Sequence, residues 1–251
     1  MQQRWPERMW IVRHGESAGN VAHNAAHAAG LPWIEIEARD ADVPLSARGE
    51  HQADALAHWF ASADEAEQPD IILTSPYVRA RQTAERICGA ARTSPMLVVD
   101  ERLREKELGI LDRLTHAGLG QLQPQQAELR RRLGKFYYRP PGGESWCDVI
   151  LRLRSALDTI SLHHSGQRVL IVCHQVVVLC LRYLLENLDE QKLLAIDAAG
   201  DVANCSVTEY GFEPDAGQTG GMLLSRYNFL VPLEQEAVPI TTAPDAKIAA
   251  R

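Results

Sequence analysis

The apolar run Met9–Val12 leads straight into Arg13-His14-Gly15, with Glu16, Ser17 and Asn20 close behind. An imidazole beside a guanidinium is a nucleophile already placed in an anion site, and a glycine lets the backbone pass close to that anion. Ser17 and Asn20 add hydrogen-bond donors. A second histidine, His174, ends the run Val169–Cys173 and is followed by Gln175. A third run, Ile71–Leu73, ends in Thr74-Ser75-Pro76, with Arg79 one turn further on. A fourth, Met96–Val99, opens into the carboxylate-rich stretch Asp100–Gly109. Two guanidiniums, two imidazoles and a carboxylate on one rim would suit a dianionic phosphoryl group. Taken singly, each residue has an ordinary explanation: a hydrogen-bonded loop histidine, a solvated helix arginine, a surface glutamate. Their coincidence at the ends of apolar runs argues for chemistry.

The elements that must position them follow from the pattern. Short runs that are apolar throughout read as strands buried on both faces. Between them Ser46–Ala61 has helical spacing, and Ser75-Pro76 reads as a capping serine with proline at the first helical position. Ser145-x-x-Asp148 is a cap pattern that opens a helix over Val149–Leu162, and Gln175–Leu185 is a strongly apolar helix. Strand and helix alternate, which predicts an α/β fold with a mostly parallel sheet covered on both faces. In such a sheet ligands bind at the carboxyl ends of strands, where these candidate residues fall. Val202–Phe212 and Met222–Leu230 read as an antiparallel pair at an edge. Residues 111–143 are the least regular and form a candidate cap. From Val231 the chain is rich in proline and alanine without periodicity, so a single domain over 1–230 and a loose tail over 231–251 are expected.

Composition narrows the class. A chain of 251 residues, 45% hydrophobic, is long enough for one large α/β domain with a sizeable core. A net charge of −7 argues against a nucleic-acid partner but leaves room for a local basic pocket. No run approaches the ~18 apolar residues of a membrane span, and the first residues lack a signal-peptide core. The five cysteines form no CxxC pair, so free, mostly buried thiols and a cytoplasmic location are expected. His23-x-x-x-His27 has the spacing of one helix face but no third ligand at a metal-like interval, so exposed helix polarity is expected there and no metal. Without a P-loop pattern, ATP chemistry is not expected.

The ordered set of motifs resembles the histidine phosphatase superfamily. It comprises Arg13-His14-Gly15-Glu16-Ser17 with Asn20, Leu45-Ser46-x-x-Gly49-x-x-Gln52-Ala53, Ser75-x-x-x-Arg79-Ala80-x-Gln82-Thr83-Ala84, Leu103-x-Glu105, and Val172-Cys173-His174. The resemblance implies a three-layer α/β/α sandwich of the phosphoglycerate-mutase-like kind and no cofactor. It makes His14 the nucleophile, its attacking nitrogen unprotonated. Arg13, Arg79 and His174 become the groups that bind the phosphoryl oxygens, with Asn20 in support. Glu105 becomes the general acid, a task that calls for a pKa above a free glutamate's. Glu101 and Glu107 are its rivals.

Within the superfamily, Tyr137-Tyr138-Arg139-Pro140-Pro141-Gly142-Gly143-Glu144-Ser145-Trp146 is similar to a stretch of the fructose-2,6-bisphosphatase branch, as is Cys173-His174-Gln175. The likeness implies substrate contacts from Ser17, Gln175, Arg131, Lys135 and Trp146. Two departures point to a different phosphorylated metabolite, because that branch's binding arginine and tyrosine fall on Leu179 and His116. The Phe-Thr-Gly-Trp stretch of phosphoglycerate mutases is absent, and an insertion-like stretch over 21–44 stands instead. The expected function is therefore a metal-independent phosphatase acting on a small phosphate ester through a phosphohistidine. Mutase-type transfer and a phosphoprotein phosphatase or phosphate-binding module are the alternatives.

Overall fold

The computed structural model describes residues 4–216 and 220–243. Six strands form one sheet: β1 (Arg8–Arg13), β2 (Ile71–Thr74), β3 (Met96–Val99), β4 (Arg168–Cys173), β5 (Val207–Glu213) and β6 (Gly221–Phe229). Their order across the sheet is β3-β2-β4-β1-β5-β6. The first four in that order run parallel, while β5 is antiparallel to β1 and β6 pairs with it at the edge. The parallel strands carry the four apolar runs, so the residues after β1, β2, β3 and β4 all emerge on one rim.

The alternation of side chains along β1 builds both cores. Met9 and Ile11 pack with α6 (Trp146–His163) and α7 (Gln175–Leu185) on one face. Trp10 and Val12 pack with α2 (Ala47–Ser62) and α3 (Val78–Ala90) on the other. The result is the expected three-layer α/β/α sandwich. A smaller cluster of Leu111, Leu114, Leu119 and Tyr138 organises the region read as a cap. That region is largely helical, with α4 (His116–Leu122) and α5 (Pro124–Tyr137), the latter kinked at Gly134 where φ is 77°. The remaining helices are α1 (Ala18–Ala28), α8 (Glu190–Ala199) and the short α9 (Val231–Gln235). Among the described residues no helix is long and apolar enough to cross a membrane.

Three sequence expectations are corrected. Helix α3 starts at Val78 rather than at Ser75-Pro76. The Ser75 hydroxyl is instead engaged with His174 across the rim. The stretch after Val231 is not loose as far as it is described. Leu233 is fully buried, and Val238 packs in the same core as α2 and α3. Residues 244–251 of the expected tail lie outside the described residues. His23 is not exposed helix polarity but buried at 1% exposure on the inner face of α1.

Candidate active site

The loop that carries His14 is held from every side. The His14 amide continues the β1–β4 ladder by donating to the Cys173 carbonyl at 3.0 Å. The Gly15 amide donates to Thr83 Oγ1 at 3.1 Å and the Glu16 amide to Gln52 Oε1 at 2.8 Å. Asn204 Nδ2 donates to the His14 carbonyl at 3.0 Å. The start of α2 lies so close that a Cβ at Gly49 would sit 1.8 Å from the Glu16 carbonyl oxygen. Only glycine fits there. The motif residues Gly49, Gln52 and Thr83 are thus buttresses of the loop that carries His14.

That scaffolding fixes the state of the His14 ring. Nδ1 lies 2.6 Å from the Gly15 carbonyl oxygen, which can only accept, so Nδ1 carries the proton. Nε2 then holds the lone pair, and the Arg79 Nε–H points at it from 3.2 Å. His174 stands beside this pair, its ring centroid 5.1 Å from that of His14. Its Nε2 is 2.8 Å from Ser75 Oγ. Tyr77 flanks both partners, its ring 5.1 Å from His174 and 5.0 Å from the Arg79 guanidinium carbon. Burial, with Asp40 and Glu107 nearby, pushes its phenol up. Strands β1 and β4 and the β2–α3 connection therefore bring His14, His174 and Arg79 together in a buried cluster.

Arg13 and Asn20 meet at a common acceptor. Arg13 donates to the carbonyls of Val202, at 2.6 Å, and Ala243. Asn20 Nδ2 donates to the same Ala243 oxygen at 3.3 Å. Arg79 in turn is engaged by the 21–44 stretch, donating to the Asp40 carbonyl at 2.5 Å and pairing with its carboxylate at 3.0 Å.

The carboxylate-rich loop after β3 is fastened by a different set. Of its glutamates, Glu105 is buried at 6% exposure, while Glu101 and Glu107 are exposed. Glu105 Oε1 accepts from the Lys106 amide at 2.7 Å. Glu144 accepts from Arg104 at 2.8 Å, from Arg152 at 2.9 Å and from the Glu107 amide at 3.0 Å. Burial pushes its carboxyl up, but the Arg152 hydrogen bond and charge, with the other donors, outweigh that and leave it below the usual range. Glu105 borders a cleft whose walls include Ile34, Ile36, Val43, Lys106 and Leu108. Asp40 lines the same cleft and so joins it to Arg79.

The other expected residues fall elsewhere. Ser17 caps α1, its hydroxyl accepting from the Asn20 amide and donating to Asn20 Oδ1. Gln175 donates to Asp201 at 2.9 Å. Trp146 is a core residue at 1% exposure, with the Lys135 ammonium 5.0 Å over its ring. Lys135 is paired with Asp197, and burial pushes its ammonium pKa down despite that partner. Arg131 and Lys135 both line one groove, with His116 and Arg130. Arg131 is solvent-exposed and bound to Glu128 at 2.8 Å, and Lys135 follows it across the kink at Gly134. Arg130, half-buried with its pKa pushed down by burial, shares a wall of a small cavity with Lys106 and Lys135. Among the described residues no group of three or more His, Cys, Asp or Glu is placed to hold a metal ion. Asp40 and Asn204 carried no motif signal; their contacts are set by the course of long loops.

A mostly parallel sheet that delivers two histidines and an arginine to one rim defines an α/β protein with a buried, nitrogen-rich cluster at its strand ends. The sequence matches the histidine phosphatase superfamily (branch 1) over residues 9–222, and the chain belongs to that superfamily. A probable phosphoglycerate mutase GpmB of Photorhabdus laumondii is 27% identical over 92% of this chain and 97% of its own length. A Caenorhabditis elegans 6-phosphofructo-2-kinase/fructose-2,6-bisphosphatase is 33% identical over 70% of this chain, which spans only 33% of that protein. Among solved structures, a mycobacterial glucosyl-3-phosphoglycerate phosphatase superposes with a TM-score of 0.66 at 26% identity, covering 89% of this chain and 99% of that one.

Proposed function

We propose that the protein is a phosphatase that hydrolyses a small phosphate monoester through a phosphohistidine on His14. The observation that carries this reading is the lone pair of His14 Nε2, fixed by the Nδ1–H bond to Gly15 and faced by Arg79. Nε2 attacks phosphorus as the ester P–O bond breaks. Arg13, Arg79, His174 and Asn20 take the phosphoryl oxygens and offset the charge spread over them. Glu105, at the edge of the cleft that receives the alcohol half, gives its proton to the leaving alkoxide. Water then enters, Glu105 takes its proton, the hydroxide attacks phosphorus, and the P–N bond breaks to release inorganic phosphate and free His14.

The phosphatases among the relatives support this reading, and five free thiols fit a reducing cytoplasm. We assign no nucleic-acid or membrane partner. The nearly full-length likeness to proteins named as mutases favours a second reading, transfer to another hydroxyl. One experiment addresses both. Enzyme mixed with a 32P-labelled ester and quenched in alkali should carry label on the peptide containing His14, and the label should leave as inorganic phosphate. Label appearing in a second ester supports the mutase. Near-normal turnover by His14→Ala would sink both.

A further inference from the structure

Beyond the core contact of Val238, residues 239–243 are fastened to the same residues that hold the nucleophile loop. Gln52 accepts the Glu16 amide through Oε1 and donates through Nε2 to the Pro239 carbonyl at 2.8 Å and to Thr241 Oγ1 at 2.9 Å. Asn204 donates its Nδ2 to the His14 carbonyl and accepts the Thr241 hydroxyl at 2.9 Å. The Asn204 amide donates to the Thr241 carbonyl at 2.9 Å. Two residues further on, Ala243 is buried, and its carbonyl oxygen is the acceptor shared by Arg13 and Asn20.

We propose that residues 239–243 are a built-in occupant of the phosphoryl site, with the Ala243 carbonyl standing where a phosphoryl oxygen binds. The inference rests on the assignment of Arg13 and Asn20 to the phosphoryl group. Each of those N–H groups points in one direction and cannot serve two acceptors fully. A neutral carbonyl matches a guanidinium less well than a phosphoryl dianion does, so the occupant is displaceable. Gln52 and Asn204 hold the loop with one end and the strap with the other. Lifting the strap therefore leaves the bonds to Glu16 and His14 in place. The strap acts as a competitor of substrate and product: it weakens their apparent binding by the fraction of time the site is covered, and leaves the chemical step alone.

The test compares the full chain, a chain ending after Pro239, and Thr241→Ala, which cuts the two hydroxyl anchors without shortening the chain. Inorganic phosphate binding by calorimetry should tighten about tenfold in the shortened chain, as expected for a site covered about nine-tenths of the time. Thr241→Ala should tighten it by a smaller factor. KM for a phosphate ester should fall in step with unchanged kcat. In the full chain, saturating phosphate should speed amide exchange in a peptide covering 236–243. Equal or weaker phosphate binding in both variants, or unchanged exchange, overturns the occupant while leaving the phosphoryl-site assignment standing. If phosphate binding in the full chain survives Arg13→Ala undiminished, that assignment falls and the occupant with it.

Discussion

The Nε of Arg79 lies 3.2 Å from Nε2 of His14, and the same guanidinium holds Asp40 through its terminal nitrogens. One planar group thus donates to His14 and holds Asp40 at the same time, and in the proposed reaction the same fork would take the phosphoryl oxygens. A lysine offers a single charge without the fork, so it cannot do both. Arg79→Lys is expected to lower kcat/KM for any phosphate ester by about 10²–10³, the range seen when one preorganised donor is lost. A loss under fivefold, measured at saturating and limiting substrate, would mean Arg79 serves the fold alone.

Glu105 is the buried carboxylate of its loop and borders the cleft. A sugar or alkyl alkoxide must be protonated to leave, whereas a nitrophenolate leaves unaided. Glu105→Gln should cut hydrolysis of alkyl phosphates by about 10²–10⁴ and of nitrophenyl phosphate far less. Equal losses on the two substrates would remove Glu105 from the acid role.

Glu144 ties the loop that carries Glu105 to α6 through Arg104 and Arg152. Arg152 is only about a tenth exposed, so Glu144→Ala strands a buried cation and should destabilise the protein by about 3 kcal/mol at neutral pH. The folded-state pKa of Glu144 lies below the ordinary 4.5, so its contribution is complete above that value. It should fade as the pH falls from there through the folded value. Denaturant melts of both proteins at pH 7 and at acid pH check the sign. A gap that widens on acidification would contradict it.

The parallel sheet was legible because its four strands are apolar throughout, and His14, Arg79 and His174 because they follow such strands. Ser17 and Ser75 show the limit of that reasoning. The same residue type caps a helix at one position and braces a histidine at the other, and only tertiary contacts separate the two. The four-residue spacing of Arg131 and Lys135 did not reveal the kink between them, where Gly134 takes a positive φ. After the short helix α9 the chain lacks periodicity because residues 239–241 are held by side-chain bonds to Gln52 and Asn204, which no local pattern encodes.

Lys106 follows Glu105, lines the cleft and is only 8% exposed. Burial lowers its pKa from 10.5 to about 8; the Glu105 charge works the other way and recovers part of the loss, while Arg130 adds to it. The fall corresponds to roughly 3 kcal/mol of differential stabilisation between its two protonation states. Because the folded value is the lower one, the unfolded chain binds the proton more tightly between about pH 8 and 10.5. Wild-type stability should therefore rise with pH across that window and be lowest, as far as this group is concerned, below it. Lys106→Met removes the buried charge and keeps the apolar stem. It should be more stable than wild type at pH 7 by up to about 3 kcal/mol, with the advantage gone by about pH 10.5. Urea unfolding at pH 7 and pH 10 reads this directly. A variant less stable at pH 7 would mean that the attraction between Lys106 and Glu105 outweighs the cost of burying the ammonium.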